Sequence, residues 1–494
     1  MKEKIIFFTK APRPGFGKSR LKNFLSQKER YDLCVQLIEE NLSIIKKSGY
    51  PYEIYYDGKK EDLDFENGSK KEQRGSGLGE KMYSSIKEEL ENADKVLLMG
   101  SDLQGISGKL FQDAFTKLDK KDLIIAPAKD GGYGLIGMKK NWDVFSDIVY
   151  SREDVLEKIL QKAESLGLEW SLLETLRDID TLEDLVSVET NTDEIKLLGL
   201  GEYNINFLCD NSYVLRINVG SQLHLGEKQI PYEYNALREI QSSGVVPEIY
   251  EYKSRGKYLP LPFLTMEYIE GRPLDYDKDL KTAAFLLSQI HRLEPKDSSL
   301  MREEEPFQGM FDECSAMFGT YRSWQDREDY VVDFVDRFFN TAKSLGLSEK
   351  IKTPTIINTE LNNRNFIIGD RNVVIDWEKP IIGEKEQDLA HFLVPTTTNW
   401  KTDKILKVHE RDEFLKEYEK YNTLDHQKLG KYLVFNCLRG ITWCSMAKVE
   451  YSSQTKGIIN EDTLLKIDHF LSPEFLSFIE RNYYEEYYGN IKTK

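Results

Sequence analysis

Short apolar runs alternate with helix-period patterns through roughly the first 185 residues of the chain. Ile5–Thr9, Tyr52–Tyr56, Val96–Met99 and Leu123–Ala126 are near-continuous apolar stretches, the pattern of strands buried on both faces of a largely parallel sheet. Between the first two, Cys34, Ile38, Leu42 and Ile45 recur at helical spacing. Ser26 and Glu29 form a capping-box pattern ahead of them, and Gly49 is a plausible stop. Strand–helix alternation of this kind predicts an α/β domain. The polar, turn-rich stretch Val188-Glu189-Thr190-Asn191-Thr192-Asp193-Glu194 then marks a boundary. Beyond it, Asn206–Leu208, Tyr213–Ile217 and Phe263–Tyr268 predict antiparallel strands, with a helix over Tyr232–Gln241 among them. From about residue 278 the pattern is mainly helical, broken by two short strands around Asn365–Ile368 and Val373–Asp376. The expected organisation is an α/β domain over residues 1–190 and an α+β domain over 196–494. The second would have a β-rich lobe at 196–270 and a helical lobe at 275–494.

Composition narrows the classes of function. A length of 494 residues implies about two to four domains. With 68 Lys and Arg against 84 Asp and Glu, the net charge is −16. That balance argues against nonspecific nucleic-acid binding, which needs a cationic surplus. It leaves room for a local basic pocket. The five cysteines are scattered, odd in number and without a CxxC pair, so reduced core thiols are expected. No apolar run reaches the ~18 residues of a membrane span, and Met1-Lys2-Glu3-Lys4 with its short apolar sequel is no signal peptide. The expectation is a cytoplasmic protein without membrane insertion.

The segment Lys10-Ala11-Pro12-Arg13-Pro14-Gly15-Phe16-Gly17-Lys18-Ser19-Arg20 follows the first strand directly. Gly15 and Gly17 allow close backbone approach, Lys18 and Arg20 supply phosphate contacts, and the strand's carboxyl end is where α/β sheets bind ligands. A helix starting near Ser19 would aim its N-terminus at an anion. Gly17-Lys18-Ser19 also mimics the end of a phosphate-binding loop of ATPases, but the first glycine of that motif is replaced by Pro12. Asp102, after the strand ending at Met99, is a candidate metal carboxylate; Asp178 and Asp180, two apart on an extended segment, share one face and could supply a second. Asp180 could alternatively be a helix N-cap. Asp130-Gly131-Gly132-Tyr133 reads either as a loop touching an acceptor through Asp130 and Tyr133 or as a tight turn.

Together, Lys10–Leu21, Gln73-Arg74-Gly75-Ser76-Gly77-Leu78-Gly79-Glu80, Gly100-Ser101-Asp102, Ala126-Pro127-Ala128-Lys129-Asp130-Gly131-Gly132-Tyr133 and Asp178-Ile179-Asp180-Thr181-Leu182-Glu183-Asp184-Leu185 resemble the glycosyltransferase-A-like family often labelled arsenosugar-biosynthesis glycosyltransferases. That family is related in fold to guanylyl- and cytidylyltransferases. The resemblance implies a nucleotide-diphospho-sugar-transferase-like α/β/α sandwich and a site for a nucleoside triphosphate or a nucleotide sugar, with Mg2+ or Mn2+. Where relatives continue from the Gly-Ser-Asp step into Cys-Pro, this chain has Leu103-Gln104-Gly105.

Residues 196–494 resemble the aminoglycoside phosphotransferase and choline kinase superfamily. Gly199-Leu200-Gly201-Glu202-Tyr203-Asn204 lies where a phosphate-covering loop is expected, Arg216 where a phosphate-binding cation is, and Glu233 where its ion-pair partner is. Met266-Glu267-Tyr268 resembles the hinge that offers backbone hydrogen bonds to adenine, through Met266 and Tyr268. Asn358-Thr359-Glu360, then Asn365 five residues on, then Asp376 eleven further, follows the spacing of the superfamily's catalytic and metal-binding residues. The resemblance implies ATP and Mg2+, held by Asn365 and Asp376, with Glu360 as base. The usual His-x-Asp step is here Asn358-Thr359-Glu360, and a base displaced by about 1 Å can cost ~10²-fold in rate. Active, slow and binding-only versions all remain open. Trp377, Glu378 and Trp400 are candidate acceptor contacts, His291 is read as a core histidine, and the aromatic run from Tyr483 to Tyr488 as packing or dimer surface. The expectation is a bifunctional transferase. One half would attach a nucleotidyl or sugar group and the other would phosphorylate a small hydroxylated metabolite, choline-like or sugar-like.

Overall fold

The computed structural model describes residues 2–485 apart from Phe65, Asn67, Glu202, Gln222 and residues 454–460. Glu202 of the expected phosphate-covering loop and the end of the Tyr483–Tyr488 run therefore lie outside the described residues. Two compact units are present, Met1–Lys196 with Arg255–Leu261, and Leu197–Ser254 with Pro262–Lys494.

In the first unit, strands β1 (Glu3–Lys10), β2 (Tyr52–Asp57), β3 (Lys70–Glu72), β4 (Lys95–Gly100), β6 (Leu123–Pro127), β7 (Tyr133–Met138) and β8 (Trp170–Leu172) form one sheet in the order β3-β2-β1-β4-β7-β6-β8. A two-residue β5 (Leu103–Gln104) pairs outside it with β9 (Arg177–Asp178). The alternation of side chains along β1 shows why the sheet is covered twice. Ile5 and Phe7 enter a cluster with α1 (Gln27–Ser48) and α3 (Gly108–Leu118), whereas Ile6 and Phe8 enter another with α2 (Leu78–Glu89) and α4 (Val155–Ser165). The result is an α/β/α sandwich. The sheet departs from the parallel expectation at β7, which runs antiparallel to both β4 and β6. Because β1 has parallel neighbours on both sides, β2 and β4, the chain switches direction there. The loop after β1 and the end of β4 thus face one crevice.

The second unit opens with a five-stranded sheet of β10 (Ile195–Leu200), β11 (Asn204–Cys209), β12 (Tyr213–Asn218), β13 (Ile249–Lys253) and β14 (Phe263–Glu267), in the order β10-β11-β12-β14-β13. After the capping box of α5 (Leu182–Thr190), α6 (Gln229–Ile240) is the next long helix and packs on this sheet. The helical lobe contains α7 (Leu280–His291), α8 (Pro306–Arg322), α9 (Asp329–Ser344), α10 (Lys385–Leu393), α11 (Pro395–Thr398), α12 (Val408–Glu419) and α13 (His426–Ser452). Short strands β15 (Arg272–Pro273), β17 (Phe366–Ile368) and β18 (Val373–Val374) form one ribbon, and β16 (Pro354–Ile357) with β19 (Ile381–Glu384) another. The ribbons carry the loop with Asn358, Glu360 and Asn365. The long helix α13 is buried around most of its girth, and its Gly440 is needed: a Cβ there would lie 2.5 Å from Thr396 of α11. Among the described residues no helix is long and apolar enough to cross a membrane. All five cysteines are free thiols.

Candidate functional site

In the first unit the crevice is organised around Lys18. The loop after β1 turns through three positive-φ residues, Gly15 (82°), Gly17 (83°) and Lys18 itself (47°). This left-handed backbone carries the Lys18 side chain inward, where it is 1% exposed. Its ammonium contacts Asp102 Oδ2 at 2.7 Å, Asp180 Oδ1 at 3.6 Å and the Ile179 carbonyl oxygen. Burial alone would depress the Lys18 ammonium, but the adjoining Asp102 carboxylate outweighs it and holds the pKa above its ordinary value. Arg20 reaches Asp180 Oδ2 at 3.5 Å. The carboxylates themselves stay about half exposed, 48% for Asp102 and 42% for Asp180, so each keeps a solvent-facing side.

The expected helix near Ser19 is absent; Ser19–Leu21 is a single 3-10 turn, and the first long helix begins at Gln27. The physical reason is that Lys18 is left-handed and Leu21 turns into the core, which ends the turn before a helix can propagate. Positive charge at this loop is therefore carried by Lys18 and Arg20 and not by a helix N-terminus. Asp180 is not the cap of α5 either. Thr181 is, with Asp184 accepting hydrogen bonds from the backbone amides of Asp180 and Thr181. Asp178 sits on the β9 ribbon, where burial and then the nearby Asp130 push its carboxyl up to about 6. Asp130, Arg20 and the segment Ser151–Asp154 line a cavity of about 570 Å³. Tyr133 is half-buried: its hydroxyl donates to Met82 Sδ at 3.4 Å, and the ring packs against the core cluster under α2.

In the second unit Arg216 on β12 is buried and joins three carboxylates. Its Nε donates to Glu233 Oε2 at 2.9 Å, and a terminal nitrogen reaches Asp376 Oδ1 at 2.8 Å and Glu378 Oε2 at 3.6 Å. Asn204 donates to Glu378 Oε2 at 2.9 Å. Burial pushes Glu378 up to about 7; Arg216 opposes this, while Asp376, Glu233 and Glu360 add to it. Its other oxygen, Oε1, is buried without a hydrogen-bond partner. Gly201 closes the turn between β10 and β11, its amide donating to the Asn204 carbonyl at 2.8 Å, with Gly199 on β10 before it. Met266 lies in β14 opposite Val214, and Tyr268 just beyond it donates to the Ser212 carbonyl at 3.4 Å.

The loop bearing Glu360 is held under strain. Thr359 and Asp376 both have positive φ, 70° and 64°. Asp388 of α10 accepts hydrogen bonds from the amides of Asn358 at 2.9 Å and Thr359 at 2.8 Å, and His291 contacts the same carboxylate at 3.3 Å in the core. Glu360 is 39% exposed, 3.5 Å from Lys379 Nζ and 3.9 Å from Arg439. Arg439, on α13, is clamped by Glu313 at 2.9 and 3.1 Å and donates to the Thr359 carbonyl at 3.1 Å. Asn365 is buried, its Oδ1 accepting from the Asn362 amide at 2.9 Å. Trp377 is a core residue, 2% exposed with its indole donating to the Val374 carbonyl, so it offers no face to an acceptor. Its place directly after the left-handed Asp376 turns it under the ribbon. Trp400 stays partly exposed, edge-on to Trp443 with ring centroids 5.1 Å apart. Lys379, Arg439 and Glu313 carry no local sequence signal: each is a single charge in an ordinary helix or turn, and only the fold gathers them.

Donor chemistry bears on a metal ion. Among the described residues no three His, Cys, Asp or Glu side chains converge as a self-sufficient metal site. Half-exposed Asp102 and Asp180 are hard oxygen donors, and so is the crowd of Asp376, Glu378 and Glu233, which outnumbers its one guanidinium and includes an orphaned Glu378 oxygen. Such sets suit a divalent ion that takes its remaining ligands from phosphate and water.

Comparison with known proteins divides the chain in the same way. Residues 42–152 match the family described as an uncharacterised protein conserved in bacteria, DUF2064, and residues 194–429 match the phosphotransferase enzyme family. The 2-phospho-L-lactate guanylyltransferase of Methanocaldococcus vulcanius is 28% identical over 198 residues, covering 37% of this chain and 86% of that protein. A crystal structure from Desulfovibrio desulfuricans, provisionally named a nucleotide-diphospho-sugar transferase, is 30% identical over 39% of this chain and 90% of its own, with a TM-score of 0.37. The choline kinase of Streptococcus pneumoniae is 16% identical over 60% of this chain and 99% of its own, with a TM-score of 0.41. A DUF2064 match thus lies in the N-terminal half and a phosphotransferase-family match in the C-terminal half, and the chain is a transferase.

Proposed function

We propose that this transferase performs two steps on small metabolites. Its C-terminal half moves the γ-phosphoryl group of ATP to a hydroxyl, and its N-terminal half moves a nucleotidyl group from a nucleoside triphosphate to a phosphorylated acceptor. The N-terminal reading is carried by likeness to a guanylyltransferase that acts on a phosphorylated hydroxy acid, extending over 86% of that relative. Lys18 and Arg20 would hold the triphosphate, and an acceptor phosphate oxygen would attack the α-phosphorus as pyrophosphate departs. Asp102, Asp178 and Asp180 would hold Mg2+ or Mn2+, which neutralises charge on the phosphates. Asp130, beside the cavity that Arg20 lines, would face the acceptor.

In the C-terminal half, Arg216, fixed by Glu233, would position ATP phosphates under the Gly199–Gly201 turn, with adenine against the backbone of Met266 and Tyr268. Asn365 and Asp376 would hold Mg2+, with Glu378 beside them. Glu360 would accept the acceptor's hydroxyl proton. Positioning and charge stabilisation carry most of phosphoryl transfer, and the Glu360 carboxylate, exposed although 3.5 Å from Lys379, would take the proton. The domains responsible are 1–190 and 196–494.

The test incubates the protein with each nucleoside triphosphate and a panel of hydroxylated and phosphorylated acceptors, following pyrophosphate, nucleoside diphosphate and ADP. Pyrophosphate release with a phosphorylated acceptor supports nucleotidyl transfer; nucleoside diphosphate released from a nucleotide sugar would replace it with glycosyl transfer. Absence of all three products with every combination would sink both halves of the reading.

A further inference from the structure

The peptide group that enters Glu360 is held at both of its polar atoms. Its carbonyl, that of Thr359, accepts from Arg439 Nη1 at 3.1 Å, and its amide, that of Glu360, donates to Asn358 Oδ1 at 3.2 Å. Thr359 is β-branched yet sits at φ 70°, with its amide donating to Asp388 and its hydroxyl to the Lys379 carbonyl at 3.1 Å. A residue of that kind stays left-handed only where its surroundings over-determine it. Lys379 and Arg439 also both approach the same carboxylate oxygen, Oε1 of Glu360, at 3.5 and 3.9 Å. Among the described residues no hydrogen bond reaches Oε2. Arg439 makes its contacts at once because a guanidinium is a rigid flat fork. Glu313 of α8 takes Nε and Nη2 at 2.9 and 3.1 Å, which leaves Nη1 aimed at Thr359.

We propose that Arg439, oriented by Glu313, is a positioning residue for Glu360: it fixes the peptide before Glu360 and steadies Oε1, so that Oε2 receives the acceptor's hydroxyl proton. This rests on the kinase reading above and adds to it how a base one methylene longer than aspartate is kept in register. In that step the hydroxyl oxygen bonds to the γ-phosphorus of ATP. The bond from that phosphorus to the β–γ bridging oxygen breaks, its electron pair leaves on ADP, and the hydroxyl proton passes to Glu360 Oε2. Arg439 touches neither nucleotide nor acceptor in this scheme and acts only through Glu360.

ADP release from Mg·ATP is measured with choline, ethanolamine, glycerol, L-lactate and D-glycerate, and the acceptor giving the fastest turnover is carried forward. Arg439→Lys keeps the charge but cannot grip Glu313 and Thr359 together. Its kcat should fall about tenfold or more, since a base displaced by ~1 Å can cost ~10²-fold. ATP affinity by calorimetry should stay within about twofold of wild type. In a Glu360→Gln background, where no base remains to be placed, the same change should lower the residual rate by less than about twofold. Glu313→Gln loosens the grip from a 39% exposed residue. It should show the same pattern with a smaller fall, and it carries the test if Arg439→Lys does not melt cooperatively. A wild-type kcat in both variants, equal losses with and without Glu360, or an ATP affinity that falls in step with kcat overturns the positioning role and leaves the kinase reading standing. ATP bound in calorimetry without ADP release in any mixture overturns the kinase reading, and the role of Arg439 with it.

Discussion

At the scale of the residue, the charged side chains that matter are defined by what they are buried against. Lys18 is nearly inaccessible yet stays charged because Asp102 touches it, whereas His391 is kept neutral. Asn436 donates to the Tyr432 carbonyl at 3.0 Å, which turns its own Oδ1 toward His391 Nδ1 at 3.2 Å and places the imidazole proton there. Burial, and then the Arg439 guanidinium, push His391 down to about 4. A histidine that protonates less readily folded than unfolded takes up a proton on unfolding between its two pKa values. Its contribution is intact above about 6.5 and lost as pH falls toward 4. At ~1.4 kcal/mol per unit the loss is roughly 3–4 kcal/mol. Thermal melts of His391→Gln should therefore lose less stability than wild type between pH 6.5 and pH 4, and parallel curves would refute this assignment.

Elements set where loops can go, and the Asp130–Tyr133 turn is the clearest case. Gly131 has φ 85°, and a Cβ there would lie 2.0 Å from the Glu153 carbonyl oxygen, while its own carbonyl accepts from Leu156 at the start of α4. The turn is thus locked to the helix that helps line the Arg20 cavity. Gly167, just after α4, has φ 67° but nothing within 4 Å of an added Cβ. Gly131→Ala should cost about 1–3 kcal/mol through strain plus the clash, clearly more than Gly167→Ala. Urea midpoints of the two variants check this; equal shifts would mean the loop has room to move. The same scale explains the missing helix at Ser19. Glycine, lysine and serine there suit a helix start, but a left-handed Lys18 feeding a buried Leu21 leaves only one 3-10 turn.

For the whole molecule, two units with separate cores predict two calorimetric transitions, and ligand linkage should tell them apart. Mg·ATP is expected to raise one transition, and at least one Mg·nucleoside triphosphate of the four to raise the other, by several degrees; a single transition moved equally by all would argue against independent sites. Much of this architecture was legible beforehand. Apolar runs marked β1, β2, β4 and β6, because strand burial acts through neighbours close in sequence. The reversed strand β7 was not legible, nor the burial of Trp377, since direction and facing depend on which segment lies alongside. Nor were Glu313, Lys379 and Arg439, which come from three separate segments. The sequence by itself determined an α/β domain followed by a phosphotransferase-like α+β domain in a transferase. Only the tertiary structure decided which carboxylates already have partners, because charge balance at a site sums over segments far apart along the chain.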